Sequence, residues 1–535
     1  MSRTCRLLLI ASAAILFIVS SSLLAPSLAQ DWESHRLRGT IRVVDLFTPS
    51  VSAMLNCVEG LVSVDRDNQF VPCLARDWRW VNERTIEFKL RRGVTFHNGE
   101  DFNAEAVRIN WEAYKSLNDP RVVSLLNLPD ETMFAMVDKY IVRFILPEPD
   151  GLALARFAWF FQAAPGFFND HKVDEKTWLY FPEPGPWGTG PFRLVEGRAL
   201  YGRPSGKIVL EAYEDYWDPQ YPKVHKAIFD NSLTGDRDEA MRLCVAESGA
   251  VDIVSHIRPL DTIRVAESSE AKVVKSKDGS LLWGYFNQRK RNSKWTDIRL
   301  RKALNYAVNR EELMKYAARG NAYNIGGIIP VQSAGHSLGQ IPYTYDTEKA
   351  RSLLAEAGYP DGFEMRVIAW EAWKLEGQII SRMLERVGLK VKLQIVSYAE
   401  YMRRTYIPLL EKAIEEQEWD LVIGSWGDVF GHFGVSFLAM TLIEDSDWRW
   451  IKYDPVYEAM WKDMAEESNV EKQAEKMRKM AQYLYSNAYF LFIYSPITLY
   501  AVNKDVNFMP QKSLWLRLKE TSVTENHLSV RGQSD

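Results

Sequence analysis

DTEKARSLLAEAG, at residues 346–358, begins the stretch that decides the fold. Asp346 is typical of a helix N-cap, and Gly358 is typical of the position just past a helix C-terminus. The pattern then alternates between strand and helix: FEMRVIA at 363–369, EGQIISRMLERV at 376–387, KVKLQIV at 390–396, a helix from Tyr398 and a strand at 419–424. Strands that alternate with helices of about 10–15 residues predict crossover units, a parallel sheet and an α/β fold.

Two loops in this region combine aromatic rings with a carboxylate. Ligands of parallel sheets bind outside the carboxyl ends of the strands. The loop after the first strand carries Trp370 and Trp373, and the loop after the third carries Trp426, Asp428 and Phe430. We interpret these rings as candidate ligand contacts, with packing in the core as the alternative for each tryptophan.

Asp428 stands in an aromatic loop beside a glycine, which suits the ammonium end of a ligand. The alternative is a loop cap that accepts hydrogen bonds from nearby backbone amides. His432 lies in the same loop, either as a hydrogen-bonding residue or as a metal ligand. The eight histidines are dispersed without H-E-x-x-H or another paired spacing. We therefore predict no bound metal and no cofactor.

The composition is typical of a globular protein and argues against nucleic-acid binding. The 535 residues are 47% hydrophobic and 25% charged, which is typical of a globular protein. Lysine and arginine number 66 against 70 acidic residues, giving a net charge of −4 without the basic excess of a nucleic-acid-binding protein. Aromatic residues reach 12%, including 18 tryptophans. At about 150 residues per domain, the length predicts three to four domain-sized units.

Residues 1–29 have the pattern of a secretory signal peptide. Arg3 and Arg6 precede an apolar run at 7–24, and small residues end at Ala29. We predict cleavage near Ala29 and export to the periplasm, with an uncleaved anchor helix as the alternative. Cys5 precedes the apolar run instead of marking the cleavage junction, so a lipoprotein is not predicted.

The predicted mature chain retains Cys57, Cys73 and Cys244. In an oxidising compartment Cys57 and Cys73 could form a disulfide and leave Cys244 unpaired. Three buried thiols are the alternative. The sequence leaves both open.

One enzymatic motif occurs, GHSLG at 335–339, which matches the G-x-S-x-G pattern around Ser337. That motif needs a strand before the serine and a helix after it. Pro330 precedes the motif, and Pro342 follows too closely for a helix to form. A secreted serine hydrolase that uses Ser337 is therefore only a remote alternative, and we predict no catalytic residues.

Two further patterns lie near the N-terminus. TIEFKL at 85–90 alternates in hydrophobicity as a half-buried strand should, and Asn103 is typical of the cap of the helix that follows. These segments belong to a longer series of motifs in a fixed order. The series comprises EGLV at 59–62, VPCLARDW at 71–78, FKLRRGVTFHNG at 88–99, FNAEAV at 102–107, GTGPF at 188–192, DYW at 215–217, SGAVDI at 248–253, YFN at 285–287, RLRKALNYAVNR at 299–310 and AEAGYP at 355–360.

In these motifs the chain resembles the extracellular solute-binding proteins of family 5, the large periplasmic receptors of ABC importers for peptides, nickel and related solutes. The resemblance implies a periplasmic binding protein-like fold of type II, cluster C, a two-jawed Venus flytrap with three lobes. The implied lobes are lobe I at 30–65, 184–279 and 496–530, lobe II at 66–183, inserted in it, and lobe III at 280–495.

The resemblance further implies a monomeric receptor without catalytic activity that closes on its solute and docks on an ABC permease in the inner membrane. In peptide-binding members an Asp after the Trp-Gly of the late strand holds the α-ammonium, which assigns that role to Asp428. The segment after the first strand, which contains Phe47, normally lines the cleft. Two alternative solutes fit the same fold. An oligosaccharide would stack on Trp370, Trp373 and Trp426, and a metal chelate would be bound through His432.

Overall fold

Three main sheets with packed helices make up the protein, as seen in a computed structural model. The structure describes residues 39–531 except for these positions: 68, 116–127, 130, 171–182, 186, 200–203, 247–249, 278, 331–332, 334, 337–340, 412, 428–442, 445 and 447–448. The predicted signal peptide and its cleavage site lie outside the described residues. Within the described part of the chain, no helix is both long and apolar enough to cross a membrane.

The strands of the described residues are β1 Thr40–Val44, β2 Val62–Val64, β3 Phe70–Pro72, β4 Ala75–Asn82, β5 Thr85–Leu90, β6 Met133–Asp138, β7 Ile141–Ile145, β8 Phe192–Glu196, β9 Lys207–Ala212, β10 Lys226–Asp230, β11 Ile253–Val254, β12 Ala271–Ser276, β13 Leu281–Phe286, β14 Ala322–Tyr323, β15 Glu364–Trp370, β16 Lys390–Val396, β17 Leu421–Trp426, β18 Phe490–Pro496, β19 Thr498–Asn503, β20 Val506–Asn507 and β21 Ser522–Val523.

The α-helices of the same residues are α1 Pro49–Met54, α2 Ala104–Lys115, α3 Ala153–Trp159, α4 Pro165–Asp170, α5 Arg237–Cys244, α6 Asp261–Ala266, α7 Ile298–Ala307, α8 Arg310–Tyr316, α9 Thr347–Glu356, α10 Lys374–Arg386, α11 Tyr398–Thr405, α12 Ile407–Leu410, α13 Pro455–Ala465, α14 Val470–Ser486 and α15 Leu528–Arg531.

The seven-stranded sheet has the order β12-β19-β11-β1-β10-β9-β8, and β1 runs parallel to both of its neighbours. Its strands therefore come from the start, the middle and the end of the chain. The four-stranded sheet, β4-β5-β7-β6, is antiparallel throughout. Its strand β5 has the predicted bounds, and the Asn103 side chain caps α2 by accepting hydrogen bonds from two backbone amides.

The six-stranded sheet, β14-β18-β13-β17-β15-β16, contains the stretch that opened the sequence analysis. Asp346 caps α9 as predicted, and Gly358 has the expected positive φ of 91°. The parallel arrangement holds for β15 with β16 and with β17. The prediction did not extend to β13 and β18, and β13 pairs antiparallel with both β17 and β18. The chain enters β13 from the seven-stranded sheet and returns to that sheet from β18, so these two strands need no helical crossover.

Two neighbouring connections link the seven-stranded sheet to the six-stranded sheet. The chain leaves β12 for β13, and it returns from β18 to β19 with only Ile497 between the two strands. The connections lie side by side, since Ser276 pairs with Thr498 before them and Leu282 pairs with Tyr494 after them. A pair of short crossovers between two packed bodies is suited to act as a hinge.

We use lobe I, lobe II and lobe III for the segments that contain the seven-, four- and six-stranded sheets. The exact bounds of the lobes stay a prediction, and the bound at 65/66 falls in the turn between the paired strands β2 and β3. Cys57, Cys73 and Cys244 are three buried free thiols. Of the two readings left open above, this is the second, and burial raises the pKa of each thiol.

Candidate functional site

The candidate site lies where parallel strands of two sheets end. In lobe III, β15 and β17 are parallel and end at Trp370 and Trp426. In lobe I, β1 and β11 are parallel and lead into Asp45 and Ser255. Carboxyl ends of parallel strands are the usual place for a ligand in α/β proteins.

The strand ends in lobe I are joined by the buried carboxylate of Asp45. Its two oxygens accept hydrogen bonds from the hydroxyls of Ser52, at 2.6 Å, and Ser255, at 2.7 Å. It also accepts from the backbone amide of Phe47 at 3.0 Å. Asp45 is fully buried. One side chain thus fixes the end of β1, the end of β11 and the first helix relative to each other.

Three rings stand on this support, and we call them the lobe I wall: Phe47, His256 and Trp515. Phe47 stacks on His256 with ring centroids 5.1 Å apart and contacts Trp515 at 5.9 Å. Phe47 is 38% exposed. His256 has a positive φ of 52°, a backbone conformation that costs a non-glycine residue about 1–3 kcal/mol. The Ser255 hydroxyl lies 3.0 Å from His256 Nδ1.

Four rings form the corresponding lobe III wall: Trp370, Tyr398, Tyr406 and Trp426. The rings of Trp370 and Tyr398 are 5.0 Å apart, and Trp426 stacks on Tyr406 at 6.1 Å. Burial raises the pKa of Tyr406 well above its usual value, so its hydroxyl stays neutral. Half of Tyr398 is exposed. This wall therefore presents rings to solvent from a fixed aromatic base.

The two walls meet at Gly427. A Cβ atom at this position would lie 2.7 Å from Cδ1 of Leu514, the residue before Trp515. A side chain at Gly427 would therefore force the Leu514 side chain to move. Glycine at 427 lets the end of β17 approach the segment that contains Leu514.

The structure separates the sequence-predicted residues. Phe47, Trp370 and Trp426 lie on the two walls. Trp373 instead packs against a core cluster formed with α7 and α10, while Trp370 and Trp426 pack against the aromatic cluster of the other face. The remaining candidates, which are Asp428, Phe430, His432 and the alternative nucleophile Ser337, lie outside the described residues.

Sequence reasoning missed Asp45, His256 and Trp515. Each is isolated in sequence from the others, and only the pairing of β1 with β11 brings Asp45 and His256 together. The available signal was the position of Ser255-His256 directly after a buried strand. Among the described residues, no group of three or more histidine, cysteine or acidic side chains is arranged to hold a metal ion.

Comparison with known proteins gives one family. The model of the bacterial extracellular solute-binding proteins, family 5 Middle, matches residues 69–442. A dipeptide-binding protein of Escherichia coli strain K12 is 26% identical over 363 residues, which cover 63% of this chain and 65% of that protein. The glutathione-binding protein GsiB of Pectobacterium atrosepticum is 28% identical, and the match covers 63% of this chain and 62% of GsiB. The chain thus spans less than two thirds of the length of these curated relatives.

Solved structures share the fold. The periplasmic binding protein DppA of Helicobacter pylori, in complex with the peptide STSA, has a TM-score of 0.73 at 19% identity, covering 92% of this chain and 99% of DppA. NikA of Brucella suis, in complex with Fe(III)-EDTA, has a TM-score of 0.76 at 19% identity and covers 91% of this chain and all of NikA. Similarity at this level of identity establishes the α/β architecture of periplasmic binding proteins.

Proposed function

Because the chain belongs to family 5 of the bacterial extracellular solute-binding proteins, we propose that it is the periplasmic solute receptor of an ABC importer. It captures a peptide or amino-acid-like solute between two hinged lobes and delivers it to a membrane permease. The observation that carries this proposal is the pair of aromatic walls on two bodies that are linked by adjacent crossovers. The family consists of binding proteins, so the chain works by capture and release and not by catalysis.

Binding and closure are coupled through the two walls. A solute that contacts the lobe I wall and the lobe III wall together binds the closed form more tightly than the open form. A ligand of micromolar affinity contributes about 8 kcal/mol. That exceeds the few kcal/mol that separate the conformations of a typical two-state protein, so the bound receptor is closed.

Within the cleft we assign the ammonium end of the solute to Asp428. The strand that leads to it, β17, ends in Trp426 on the lobe III wall. Phe430 and His432 follow in the same loop, and Phe47 and Trp370 supply stacking surface from opposite walls. The named relatives support a peptide, since one is a dipeptide-binding protein and the other binds glutathione.

A thermal-shift screen tests the proposal. Dipeptides, tripeptides, glutathione, oligosaccharides and nickel chelates are added separately to the purified full chain. A ligand at 100 times its dissociation constant adds about 2.7 kcal/mol to the free energy of unfolding. We expect a shift from peptides. A shift from oligosaccharides alone, or from metal chelates alone, would contradict the peptide assignment and identify that class as the solute.

Export is a separate part of the proposal. We assign residues 1–29 to a cleaved signal peptide and the mature receptor to the periplasm as a monomer. N-terminal sequencing of protein recovered from the periplasm should begin at Gln30. Recovery of the intact N-terminus in the membrane fraction would contradict cleavage and support an anchor helix.

A further inference from the structure

A second cavity lies beside the hairpin of β2 and β3, and it is distinct from the cleft. Its volume is about 400 Å³. The end of α1, the β2–β3 hairpin and part of the segment 511–520 form its walls, and no residue of the lobe I wall or the lobe III wall lines it. Small-molecule sites in proteins typically have volumes of about 300–1,000 Å³.

The deepest carboxylate of this cavity, Glu59, is already fully engaged. One oxygen accepts from the Tyr216 hydroxyl at 2.7 Å, and the other accepts from the Trp217 indole nitrogen at 3.0 Å. Burial raises the pKa of Glu59, although the hydrogen bonds from Tyr216 and Trp217 oppose that rise. Lys519 also opposes the rise in the pKa of Glu59, and Glu59 in turn offsets part of the lowering that burial causes in the pKa of Arg517.

The carboxylates at the mouth are engaged as well. Glu520 forms an ion pair with Arg66 at 2.7 Å, and Asp67 forms one with Lys512. Asp65 accepts hydrogen bonds from two backbone amides of its own turn. All four acidic side chains of the cavity lining thus have partners outside the empty space.

The two remaining cations of the lining, Arg517 and Lys519, have only one carboxylate, Glu59, as a shared electrostatic partner in the lining. Arg517 donates one hydrogen bond, from Nη1 to the Leu55 carbonyl at 3.2 Å. Lys519 lies over the ring of Tyr221 at 5.2 Å. Among the described residues, neither cation forms an ion pair. A guanidinium has five N–H donors in a planar fork that matches a carboxylate, so most of the donors of Arg517 remain available to the cavity.

We propose that this cavity is a second binding site, which takes a small organic acid with its carboxylate on Arg517 and Lys519. The apolar part of the ligand lies against Val62, Val71 and Phe161. Charge accounting carries the assignment, because the two cations Arg517 and Lys519 share the single carboxylate of Glu59, which leaves one positive charge of the pair for a ligand carboxylate. The site goes beyond the solute receptor function, and it binds its ligand whether or not the cleft is occupied.

Brominated acids test the proposal on the full chain. Crystals are soaked separately with 4-bromobenzoate, 3-bromopropionate and bromosuccinate, and bromine is located by its anomalous signal. We expect bromine in the cavity for at least one acid, with the carboxylate facing Arg517 and Lys519. Absence of bromine from the cavity for all three acids, or its appearance only at the aromatic walls, overturns the proposal.

Titration calorimetry with the same acids adds the energetic test. Lys519→Met should weaken binding at least tenfold, and Arg517→Met should abolish it. Lys504→Met is the matched control, since Lys504 pairs with Glu270 away from the cavity, and it should leave the affinity unchanged. Should Arg517→Met fail to fold, Lys519→Met decides alone. Equal affinities for the wild type, Lys519→Met and Lys504→Met overturn the proposal.

Discussion

The two walls of the cleft are stabilised by different kinds of interaction. The lobe I wall stands on one buried carboxylate, Asp45, which collects hydrogen bonds from Ser52, Ser255 and the backbone of Phe47. The lobe III wall has rings stacked on rings, with Trp426 on Tyr406 and Trp370 beside Tyr398. The first wall depends on directional polar contacts between distant segments, and the second depends on apolar packing within successive strand–helix units.

This difference predicts different responses to damage. Loss of one polar group leaves buried donors unsatisfied, which costs free energy at each donor. Loss of one ring from a stack removes contact area but leaves the neighbours supported. Substitutions in the lobe I wall should therefore mainly lower the free energy of unfolding, whereas substitutions in the lobe III wall should mainly lower ligand affinity.

The largest expected effect follows from Asp45→Ala. The substitution leaves the hydroxyls of Ser52 and Ser255 without their acceptor in a fully buried site. We expect the free energy of unfolding to fall by about 3 kcal/mol or more, because hydrogen bonds to charged groups contribute about 1.5–3 kcal/mol each. Urea denaturation measures the loss.

The matched control is Asp236→Ala, also in lobe I. Asp236 is an exposed N-cap that accepts from the Glu239 amide at 3.0 Å. Loss of a cap costs about 1 kcal/mol. Equal losses for the two variants would mean that Asp45 does not organise the wall.

The next effect is expected at low pH, which should destabilise the region around His97 before β15 and β16 of lobe III. Burial lowers the pKa of His97 to about 4, against an unfolded value of 6.5, and its ring lies 2.8 Å from the Gly190 carbonyl at the entry to lobe I. Between pH 6.5 and 4 the unfolded chain binds the proton that the folded chain excludes, so stability falls as the pH falls. Over this range the free energy of unfolding falls by about 3 kcal/mol.

His97→Gln should remove that part of the pH dependence. The measurement is the difference in unfolding free energy between wild type and variant at pH 7 and at pH 4.5. Hydrogen exchange at pH 4.5 should show loss of protection around His97 before β15 and β16. A pH-independent difference between the two proteins would contradict burial of a neutral imidazole.

A smaller effect, on peptide affinity, should distinguish Trp426 from Trp373 in lobe III. Trp426→Ala removes a ring from the lobe III wall, and we expect peptide affinity to fall about tenfold, equivalent to about 1.4 kcal/mol. Trp373→Ala is the control, since Trp373 packs against the opposite core cluster. It should lower stability and leave affinity within twofold. The reverse result in calorimetric titrations would place the ligand on the other side of the sheet.

The smallest effect is expected where the walls meet. Gly427→Ala places a Cβ atom 2.7 Å from Leu514 Cδ1, so the side chain of this leucine, which precedes Trp515, must shift. We expect roughly threefold weaker peptide binding, equivalent to about 0.7 kcal/mol. Leu514→Val in the same chain should restore most of the affinity. Additive losses in the double variant would show that the two residues are not coupled.

The same difference explains what the sequence could predict. The lobe III wall follows from local signals, since Asp346 caps α9, Gly358 ends it with a positive φ, and β16 has the predicted bounds. Its strands end at Trp370 and Trp426, which could be named in advance.

The lobe I wall depends on contacts that no local pattern records. Asp45 and Ser255 are 210 positions apart and meet only because β1 pairs with β11. The antiparallel pairing of β13 within the six-stranded sheet was missed for a related reason. Each connection between lobes I and III is short, and short connections carry no periodicity from which strand direction could be inferred.

The central claim is that a peptide is held between the two walls with its ammonium end on Asp428. Calorimetric titration of the full chain with the tripeptide Ala-Phe-Ala and with its N-acetylated form tests this claim most directly. We predict micromolar or tighter binding of the free peptide and at least 100-fold weaker binding of the acetylated one. Asp428→Asn should reduce that preference for the free amine. Equal affinities for the two peptides, or no binding of either, would contradict the claim.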